Sequence, residues 1–354
     1  MASSKQEGTP AAAQQLGSMS LGDSVERKEN DTAPTVKNGT TPTKKLCSAC
    51  GKKSDALKKC TACKCVWYCD KECQHKHRKE HKKECRRIKK ELDQRGGKLA
   101  FGTEEDIGPP ALGKVPPREE CSICMHVLPI HLQLRTYNTC CGKNLCGSCE
   151  FQHSMKSGKG RACAFCRTAV PESEEEALAR MRKRVERKDP NALFNMSMHY
   201  GRGRLGLPVD EAKCIDLLRQ SVDLGYPEAQ YQLGQAYHHA EMGLEQNEEE
   251  ALKYYKKAAE GGHMMALHNL ACTVGGNGDF GAAMRHWRLA ASRGYRVSMN
   301  SMITRFEDGV LRHGDLAETL QAFYVARAEM WSKDREQYIA YLKMTGEYDE
   351  EYDV

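Results

Sequence analysis

The C-terminal half of the chain alternates apolar and polar positions with the period of an α-helix. Four segments carry apolar or small residues at i, i+3, i+4 and i+7, as a helix with one buried face does: EAKCIDLLRQSVDLGY, EEALKYYKKAAEGGH, GAAMRHWRLAASRGY and LAETLQAFYVARAEM. Each is preceded by another helical segment, and these begin at Ala192, Ala229, Ala266 and Ser298. The spacing of 37, 37 and 32 residues predicts about four helical hairpins in a repeat.

Glycine marks the end of three of these units. Gly225, Gly262 and Gly294 follow the second helices, where only glycine adopts a left-handed turn at low cost. The fourth unit lacks such a glycine, so we expect it to be a cap. Small residues also stand where helices of adjacent units would cross, and they allow the backbones to approach closely. They are Ala258, Ala259, Ala290 and Ala291.

Units of this kind cannot bury their apolar faces singly, so they stack into a curved solenoid whose inner face is available to partners. We place this repeat region at residues 174–345. Over roughly residues 189–330 it resembles the SEL-one-like repeat family, which is related to tetratricopeptide repeats. The resemblance implies an all-α solenoid.

The remaining segments outside the cysteine-rich part have no periodic apolar pattern. Residues 1–44 contain no aromatic residue and are rich in small and polar residues, which predicts a disordered tail. Residues 99–118 combine paired prolines with glycines and are predicted to be a linker. Residues 346–354 are predicted to be a solvated acidic tail. The chain has no apolar run of 18 residues and no secretory leader, so we expect an intracellular protein of cytoplasm or nucleus.

The cysteines are the residues that indicate a functional site. The chain has 18 cysteines in 354 residues, and 16 of them lie between Cys47 and Cys166, mostly as close pairs. In a reducing compartment such pairs hold metal more often than they form disulfides. Zinc, bound tetrahedrally by cysteine and histidine, is therefore the expected cofactor.

The first block, residues 45–98, offers seven paired cysteines and one histidine, enough for two tetrahedral sites. The string from Cys47 to Cys85 closely resembles the MYND-type zinc finger, in which alternate pairs share an ion. The resemblance implies one ion held by Cys47, Cys50, Cys69 and Cys73, and another held by Cys60, Cys63, His81 and Cys85. The segment RRIKKELDQRGGK after Cys85 is predicted to form a short basic helix that ends at Gly96 and Gly97.

Two further features of the first block concern partners and a spare thiol. In the MYND family, Gln and then Trp after the sixth ligand help bind short proline-containing peptides. Gln74 matches the first position, whereas Arg78 stands at the second. Cys65 is left over and is expected to be a reduced thiol without a metal.

The second block, residues 119–170, contains eight cysteines and resembles a RING finger. The resemblance implies one ion held by Cys121, Cys124, Cys146 and Cys149. The second ion would take Cys163 and Cys166 with two ligands from the CCGK segment. Lys143 stands where that family has a histidine and cannot bind zinc. We expect Cys140 and Cys141 to supply the ligands instead, with His153 as a rival and an incomplete site as a further alternative.

The RING resemblance also implies a partner. RING fingers recruit ubiquitin-conjugating enzymes through an apolar residue inside the first CxxC and often a basic residue after the last cysteine. Ile123 and Arg167 match these positions, while Ala164 replaces the usual proline. A RING holds the loaded enzyme in a reactive conformation and needs no catalytic side chain of its own.

Charge adds a third possibility. Residues 44–98 carry 19 Lys and Arg against 7 Asp and Glu, although the whole chain has a net charge of only +6. The stretch from Lys76 to Lys98 invites an interpretation as a nucleic-acid site, but thiolates on zinc remove part of the charge and no aromatic residues are interleaved in that stretch for stacking. Protein partners are favoured over nucleic acid, and no membrane partner is expected.

These observations favour two small zinc-stabilised fingers followed by an α-solenoid, with four zinc ions. The chain lacks GxxxxGKS, GxSxG, GxGxxG and HExxH motifs, which argues against a conventional hydrolase, kinase or dehydrogenase. The first hypothesis for function is a protein–protein interaction adaptor that is not an enzyme. The second is a RING-type ubiquitin ligase that recruits its substrate through the repeats, and the third is nucleic-acid binding through the basic region.

Overall fold

The computed structural model describes residues 46–54, 56–94, 116–156 and 162–348. The predicted N-terminal tail, most of the linker at 99–118 and most of the acidic tail lie outside these ranges, as does the end of the basic helix with its two glycines. All described residues fall within a single compact unit, Lys44–Val354.

The first block consists of a short hairpin and one long helix. Strands β1 (Lys58–Lys59) and β2 (Trp67–Tyr68) pair antiparallel, and α1 follows over Lys71–Gln94. The helix buries one stripe of side chains with helical spacing, namely His77, His81, Glu84, Ile88 and Leu92. The predicted basic helix is therefore not a separate element but the C-terminal half of α1, because the buried stripe continues through it.

The second block has the same kind of organisation. A short 3-10 helix (Leu132–Leu134) leads into β3 (Arg135–Asn138), which pairs antiparallel with β4 (Lys143–Cys146), and α2 (Gly147–Lys156) follows at once. The register places Arg135 opposite Cys146 and Asn138 opposite Lys143, so the hairpin turn contains the adjacent pair Cys140 and Cys141.

Ten helices make up the described part of the repeat region. They are α3 (Glu174–Glu186), α4 (Pro190–Arg202), α5 (Glu211–Asp223), α6 (Pro227–His239), α7 (Glu248–Glu260), α8 (Met264–Gly276), α9 (Phe280–Ser292), α10 (Arg296–Glu307), α11 (His313–Met330) and α12 (Lys333–Thr345). Helices α4 to α11 form four consecutive packed pairs, as the repeat predicted, and α3 and α12 flank them. None of the helices in the described ranges is long and apolar enough to cross a membrane.

The turns between the repeats follow the predicted glycine rule. Gly225, Gly262 and Gly294 have φ angles of 78°, 90° and 96°, in the left-handed region. At Gly294 an added Cβ would also lie 2.6 Å from Met330 Cε. The fourth pair ends differently, since Trp331 caps α11 with an extended backbone. The four predicted alanines at the helix crossings are all fully buried.

The first block shares its core with the last repeat. Val66, Tyr68 and Ile88 of the block lie in one buried cluster with Phe306 and Phe323 of α10 and α11. Polar contacts surround this cluster. They include Arg87 to Glu307, Arg296 to Glu84, and Ser48 to Gln321. The first block therefore packs against the solenoid and shares a hydrophobic core with it.

The second block lies along the N-terminal ends of the first helices of the repeats. The Tyr137 hydroxyl donates to Asp189 Oδ2 at 2.7 Å, and Asp189 is the N-cap of α4. His131 packs beside Tyr295, the N-cap of α10, with ring centroids 6.5 Å apart. This edge of the stack is therefore covered by the chain itself, which sequence periodicity could not show.

Candidate metal centres

Sixteen cysteine and histidine side chains form four groups of four. Within each group the possible ligand atoms all lie within 4.8 Å of one another. Group 1 is Cys47, Cys50, Cys69 and Cys73; group 2 is Cys60, Cys63, His81 and Cys85; group 3 is Cys121, Cys124, Cys146 and Cys149; group 4 is Cys140, Cys141, Cys163 and Cys166. Groups 1 to 3 are the sets that the MYND and RING resemblances implied, and group 4 is the set expected when Cys140 replaces the histidine of the RING family.

Group 1 joins a turn to the start of α1. The backbone N–H of Gly51 donates to the Cys47 carbonyl and Gly51 has φ 72°, which closes a tight turn around the first pair. The N–H of Cys73 donates to Asp70 Oδ1 at 2.8 Å, so Asp70 fixes the first turn of α1 and the second pair with it. Cys50 Sγ and Cys69 Sγ are 3.6 Å apart.

Group 2 lies deeper and uses one face of α1. His81 and Cys85 are one helical turn apart and meet the pair from the turn before β2. His81 Nε2 is 3.2 Å from Cys63 Sγ, and Cys60 Sγ is 3.8 Å from Cys85 Sγ. Because α1 contributes ligands to groups 1 and 2, the two centres interleave along the chain and tie together a block too short for a large core.

Group 3 is built from a turn and the junction of β4 with α2. Cys121 Sγ is 3.9 Å from Cys149 Sγ, and Cys124 Sγ is 3.7 Å from Cys146 Sγ. The Cys146 backbone N–H points at Cys121 Sγ at 3.4 Å. Such N–H contacts to sulfur stabilise a thiolate, the form that binds metal.

Group 4 is the site whose fourth ligand the sequence left open. Cys140 Sγ lies 3.3 Å from Cys166 Sγ, and Cys141 Sγ lies 3.9 Å from Cys163 Sγ, so the adjacent cysteines both face the last pair. His153, the rival ligand, instead contacts the Arg167 guanidinium.

The turn that carries the two adjacent cysteines is held from outside. Gly142 has φ 70°, and Arg184 of α3 donates to the carbonyls of Thr139 and Cys140 at 2.9 and 2.7 Å. A helix of the repeat region therefore supports the backbone that the CC pair requires.

The separations fit a tetrahedral zinc. Four sulfurs at about 2.3 Å from one ion are about 3.8 Å apart. The sulfur–sulfur distances quoted above range from 3.3 to 3.9 Å. Soft thiolates with at most one imidazole are donors that select zinc over calcium or magnesium. The donor sets of all four groups therefore suit zinc. Bound zinc would hold in place the turn that carries the CxxC pair of each group, which we call a knuckle.

Hydrogen bonds favour the thiolate form of one cysteine in group 3 and one in group 4, whereas burial raises the pKa of Cys124 and Cys140 in the same groups. A hydrogen bond from Cys146 lowers the pKa of Cys121, and the Thr168 hydroxyl lowers the pKa of Cys166 to about 6. A thiol that is deprotonated at neutral pH binds a cation without first losing a proton.

Three predicted partner residues are placed differently. Gln74 is half-buried on α1, and Arg78, one turn later, is exposed. Ile123 is 41% exposed on the first knuckle of the second block. Arg167 has φ 64° and contacts His153. The structure thus leaves Ile123 accessible, whereas the Arg167 guanidinium is partly engaged within the block.

Side chains of the repeat region surround these centres, and sequence reasoning missed them. Tyr324 contacts His81 Nδ1 at 3.3 Å, and His313 Nε2 lies 3.2 Å from the spare thiol of Cys65. Arg335 reaches Cys124 Sγ at 3.7 Å. No local motif marks these residues, because each lies more than 200 positions from the histidine or cysteine it contacts.

The exposed side of α1 carries most of the basic charge. Its exposed bases are Lys71, Lys76, Arg78, Lys79, Lys82, Lys83, Arg86, Lys89 and Lys90. The helix has no Phe, Tyr or Trp on which a base could stack. The nucleic-acid hypothesis stays a prediction that rests on charge alone.

Family comparison identifies two modules. The MYND finger model matches residues 47–85. The Sel1 repeat model matches residues 190–226, 227–263 and 265–295. The chain contains a MYND finger and three Sel1 repeats. The MYND and SEL-one-like resemblances are confirmed, and so is the fold class of zinc-finger modules followed by a helical solenoid. The RING resemblance of the second block stays a prediction.

Solved structures that match part of this chain include two helical-repeat proteins. A Sel1 repeat protein from Oxalobacter formigenes is 25% identical over 35% of this chain and 96% of that chain, with a TM-score of 0.34. The antigen c5321 of uropathogenic Escherichia coli, which displays an SLR fold, is 25% identical over 48% of this chain and only 36% of that chain, with a TM-score of 0.37. No curated protein matches the chain.

MYND fingers and Sel1 repeats are protein-interaction modules, so the family matches support a zinc-binding interaction protein. The MYND finger contains groups 1 and 2, and the Sel1 repeats contain α4 to α9. The fourth helix pair, α10 and α11, lies beyond the matched Sel1 repeats and packs against the MYND finger.

Proposed function

We propose that this protein is a zinc-dependent adaptor for protein–protein interactions, with four zinc ions that hold its two fingers on a helical-repeat scaffold. The observation that carries the proposal is the docking of both fingers onto the Sel1 repeats and their flanking helices. Docked fingers hold exposed knuckles at fixed positions, and a rigid scaffold that presents fixed side chains loses little entropy when a partner binds.

The MYND finger supports this proposal through its shared core. Its buried face is covered by α10 and α11, so the face left for partners is the exposed side of α1 and the knuckle of group 1. Gln74 lies on this side, with Arg78 in place of the aromatic residue that the family uses for proline-containing peptides. A partner with acidic residues matches this basic face better than an apolar proline-rich peptide does.

The second block offers an apolar surface instead. Ile123, Met125 and Phe165 are 41%, 66% and 43% exposed, and all three lie on knuckles of groups 3 and 4. Large apolar side chains held on rigid knuckles are typical anchors of protein interfaces. We infer that this surface binds a protein partner and that zinc maintains it.

The test uses the zinc-loaded full chain and two double variants. The knuckle variant is Ile123→Ala with Phe165→Ala, and the control is Val209→Ala with Val310→Ala, which removes comparable exposed apolar area from the repeat region. Partners are captured from the source cells, purified, and titrated against each protein by calorimetry. We expect a partner whose affinity falls at least about tenfold, or about 1.4 kcal/mol, for the knuckle variant only. Equal affinities for both variants would contradict the proposal.

A ubiquitin ligase is the second candidate, and the completed group 4 favours it. A RING needs both of its metal centres, and the four cysteines of group 4 come together without the histidine usual in that family. Exposed Ile123 is the position that would contact a ubiquitin-conjugating enzyme. In this interpretation the knuckle surface recruits the enzyme and the Sel1 repeats bind the substrate.

A discharge assay separates the two candidates. A panel of conjugating enzymes, each loaded with ubiquitin, is mixed with free lysine and the zinc-loaded full chain. A ligase accelerates discharge for at least one enzyme, and both Ile123→Ala and Cys140→Ser slow it. If no enzyme responds to a chain that native mass spectrometry shows to hold four zinc ions, the ligase hypothesis is wrong and the adaptor remains.

A further inference from the structure

Outside the metal centres, a second kind of cysteine site lies on the exposed side of α8. Cys272 is exposed, whereas the other two thiols outside the metal groups, Cys65 and Cys214, are buried. His268, one helical turn earlier, places Nε2 at 3.5 Å from Cys272 Sγ. A base within reach of an accessible thiol is the basic arrangement of an activated nucleophile.

A third residue orients this base. Ser298 of α10 is fully buried, and its Oγ lies 3.0 Å from His268 Nδ1. When Nδ1–H donates to the Ser298 oxygen, Nε2 keeps its lone pair toward the sulfur and accepts the thiol proton. The order is therefore thiol, imidazole, hydroxyl, with the hydroxyl supplied by a neighbouring helix.

A fourth group lies beside this site, with the ring centroid of Trp287 6.5 Å from that of His268. The indole nitrogen of Trp287 on α9 is buried and makes no regular hydrogen bond within the part of the chain that the structure describes. Although Cys272 is exposed as a residue, partial desolvation of its thiol raises the pKa, and the Trp287 N–H lowers it by less. An N–H donor beside a sulfur stabilises the negative charge that develops when the thiol reacts.

We propose that Cys272, His268, Ser298 and Trp287 form a base-assisted reactive thiol that undergoes exchange with small disulfides of the glutathione type. The thiol gives its proton to His268 Nε2 as its sulfur attacks one sulfur of the disulfide. The disulfide S–S bond breaks, the leaving thiolate takes the proton from His268, and the products are a mixed disulfide at Cys272 and one free thiol.

The protonation states at rest agree with this mechanism. Partial desolvation by the surrounding side chains raises the pKa of the Cys272 thiol and lowers the pKa of His268, so the neutral thiol and the neutral imidazole coexist near neutral pH. Neutral imidazole is the form that can accept a proton, and a thiolate of higher pKa is a stronger nucleophile once formed. The site therefore differs from cysteines that are permanent thiolates.

The experiment measures adduct formation by glutathione disulfide on the zinc-loaded full chain, with intact mass, peptide mapping and zinc content as readouts. We expect an adduct at Cys272, no loss of zinc, and a rate that changes little between about pH 6.5 and about pH 8.5. His268→Gln should slow the reaction at least about tenfold and make its rate rise about tenfold per pH unit, because only preformed thiolate then reacts.

Two further variants separate reactivity from folding. Ser298→Ala should slow the reaction by freeing the imidazole, and Trp287→Phe should slow it without altering its pH dependence. Cys214→Ser, at a buried thiol, is the control and should change nothing. Adducts on the zinc-binding cysteines with release of zinc would overturn the proposal. So would an unchanged rate and pH profile in a folded His268→Gln or Ser298→Ala protein.

Discussion

The hydroxyl oxygen of Tyr324 lies 3.3 Å from Nδ1 of His81, so a helix of the repeat region contacts a ligand of group 2. His81 turns its other nitrogen, Nε2, toward Cys63 Sγ. A metal-binding histidine needs Nε2 free of a proton, and a partner at Nδ1 fixes that tautomer and the ring orientation. Metal binding in the MYND finger and packing of the solenoid are thus joined through one hydrogen bond.

The first prediction concerns that bond. Tyr324→Phe keeps the aromatic ring in the shared core but removes the partner of Nδ1, so zinc in group 2 should be held about 10-fold to 100-fold more weakly. The measurement is zinc release to a colorimetric chelator, which should show one of the expected four ions leaving faster. Tyr341→Phe, at a partly exposed tyrosine of α12, is the control. Identical release from the wild type and Tyr324→Phe would contradict the prediction.

Sequence reasoning reached the features that depend on neighbours in the chain. The glycine turns at Gly225, Gly262 and Gly294 follow from the restriction on φ, and the cysteine pairs follow from the reach of one knuckle or one helical turn. Each of these signals is local. The same locality explains why four hairpins could be counted and the last recognised as different.

The docking of the fingers could not be predicted in this way. Tyr324, Arg335 and Arg184 contact His81, Cys124 Sγ and the Cys140 carbonyl, which lie far from them in the chain, and nothing in their local sequence marks these contacts. The length of α1 was missed for a related reason. Its C-terminal half is strongly basic, and only the partner helix α10 shows that Ile88 and Leu92 are buried.

The second prediction concerns Arg335, which lies in the first turn of α12 and is 5% exposed. Its guanidinium donates to the carbonyls of Val127 and Met330 and lies 3.7 Å from Cys124 Sγ. Arg335→Met would leave two carbonyls without their donor and remove a positive charge beside the four cysteines of group 3. We expect a loss of about 3 kcal/mol in the free energy of unfolding.

Thermal melting and zinc content check this second prediction. The Arg335→Met protein should have a lower melting temperature than the wild type. It should also lose the zinc of group 3 first, which titration of the thermally unfolded protein with a chelator would show. Lys333→Met, in the same turn but exposed, tests whether loss of any positive charge has this effect. Equal melting temperatures for the two variants would show that Arg335 does not hold the second block.

The third prediction is a dependence of stability on pH. Burial first and then Arg135 lower the pKa of His131 to about 4. In the unfolded chain the ordinary value is about 6.5, so between these values the unfolded chain binds more protons. Stability that is present above about pH 6.5 should therefore be lost as the pH falls toward 4, by up to about 3 kcal/mol.

Comparison with His131→Gln isolates this contribution. Glu228 and His263 also act on His131 across the contact with the repeats, and the thiolate centres release zinc in acid. Urea unfolding is therefore measured for both proteins at each pH with zinc content recorded. The difference in free energy of unfolding between wild type and variant should shrink or reverse as the pH falls. A difference that does not change with pH would contradict the prediction.

The last prediction follows from the core that the MYND finger shares with α10 and α11. Cys85→Ser removes one ligand of group 2 while the second block keeps both of its centres, so only the MYND finger should loosen. Loss of its fold would uncover Phe306, Leu320 and Phe323, which lie in the shared cluster. Hydrogen exchange should then rise throughout α1 and also in α10 and α11.

Which helices show faster hydrogen exchange tells whether the MYND finger stabilises α10 and α11 or only contacts them. Helices α4 and α5 pack at the other end of the repeats and should keep their protection, because each repeat is stabilised by its nearest neighbours. Cys214→Ser, in α5, is the matched control for a lost thiol. If exchange in Cys85→Ser rises only within residues 46–94, the last repeat is stable by itself and the MYND finger is an appendage. If it rises in α10 and α11 as well, the zinc of group 2 stabilises the end of the solenoid, since the finger supplies part of the core that those helices lack.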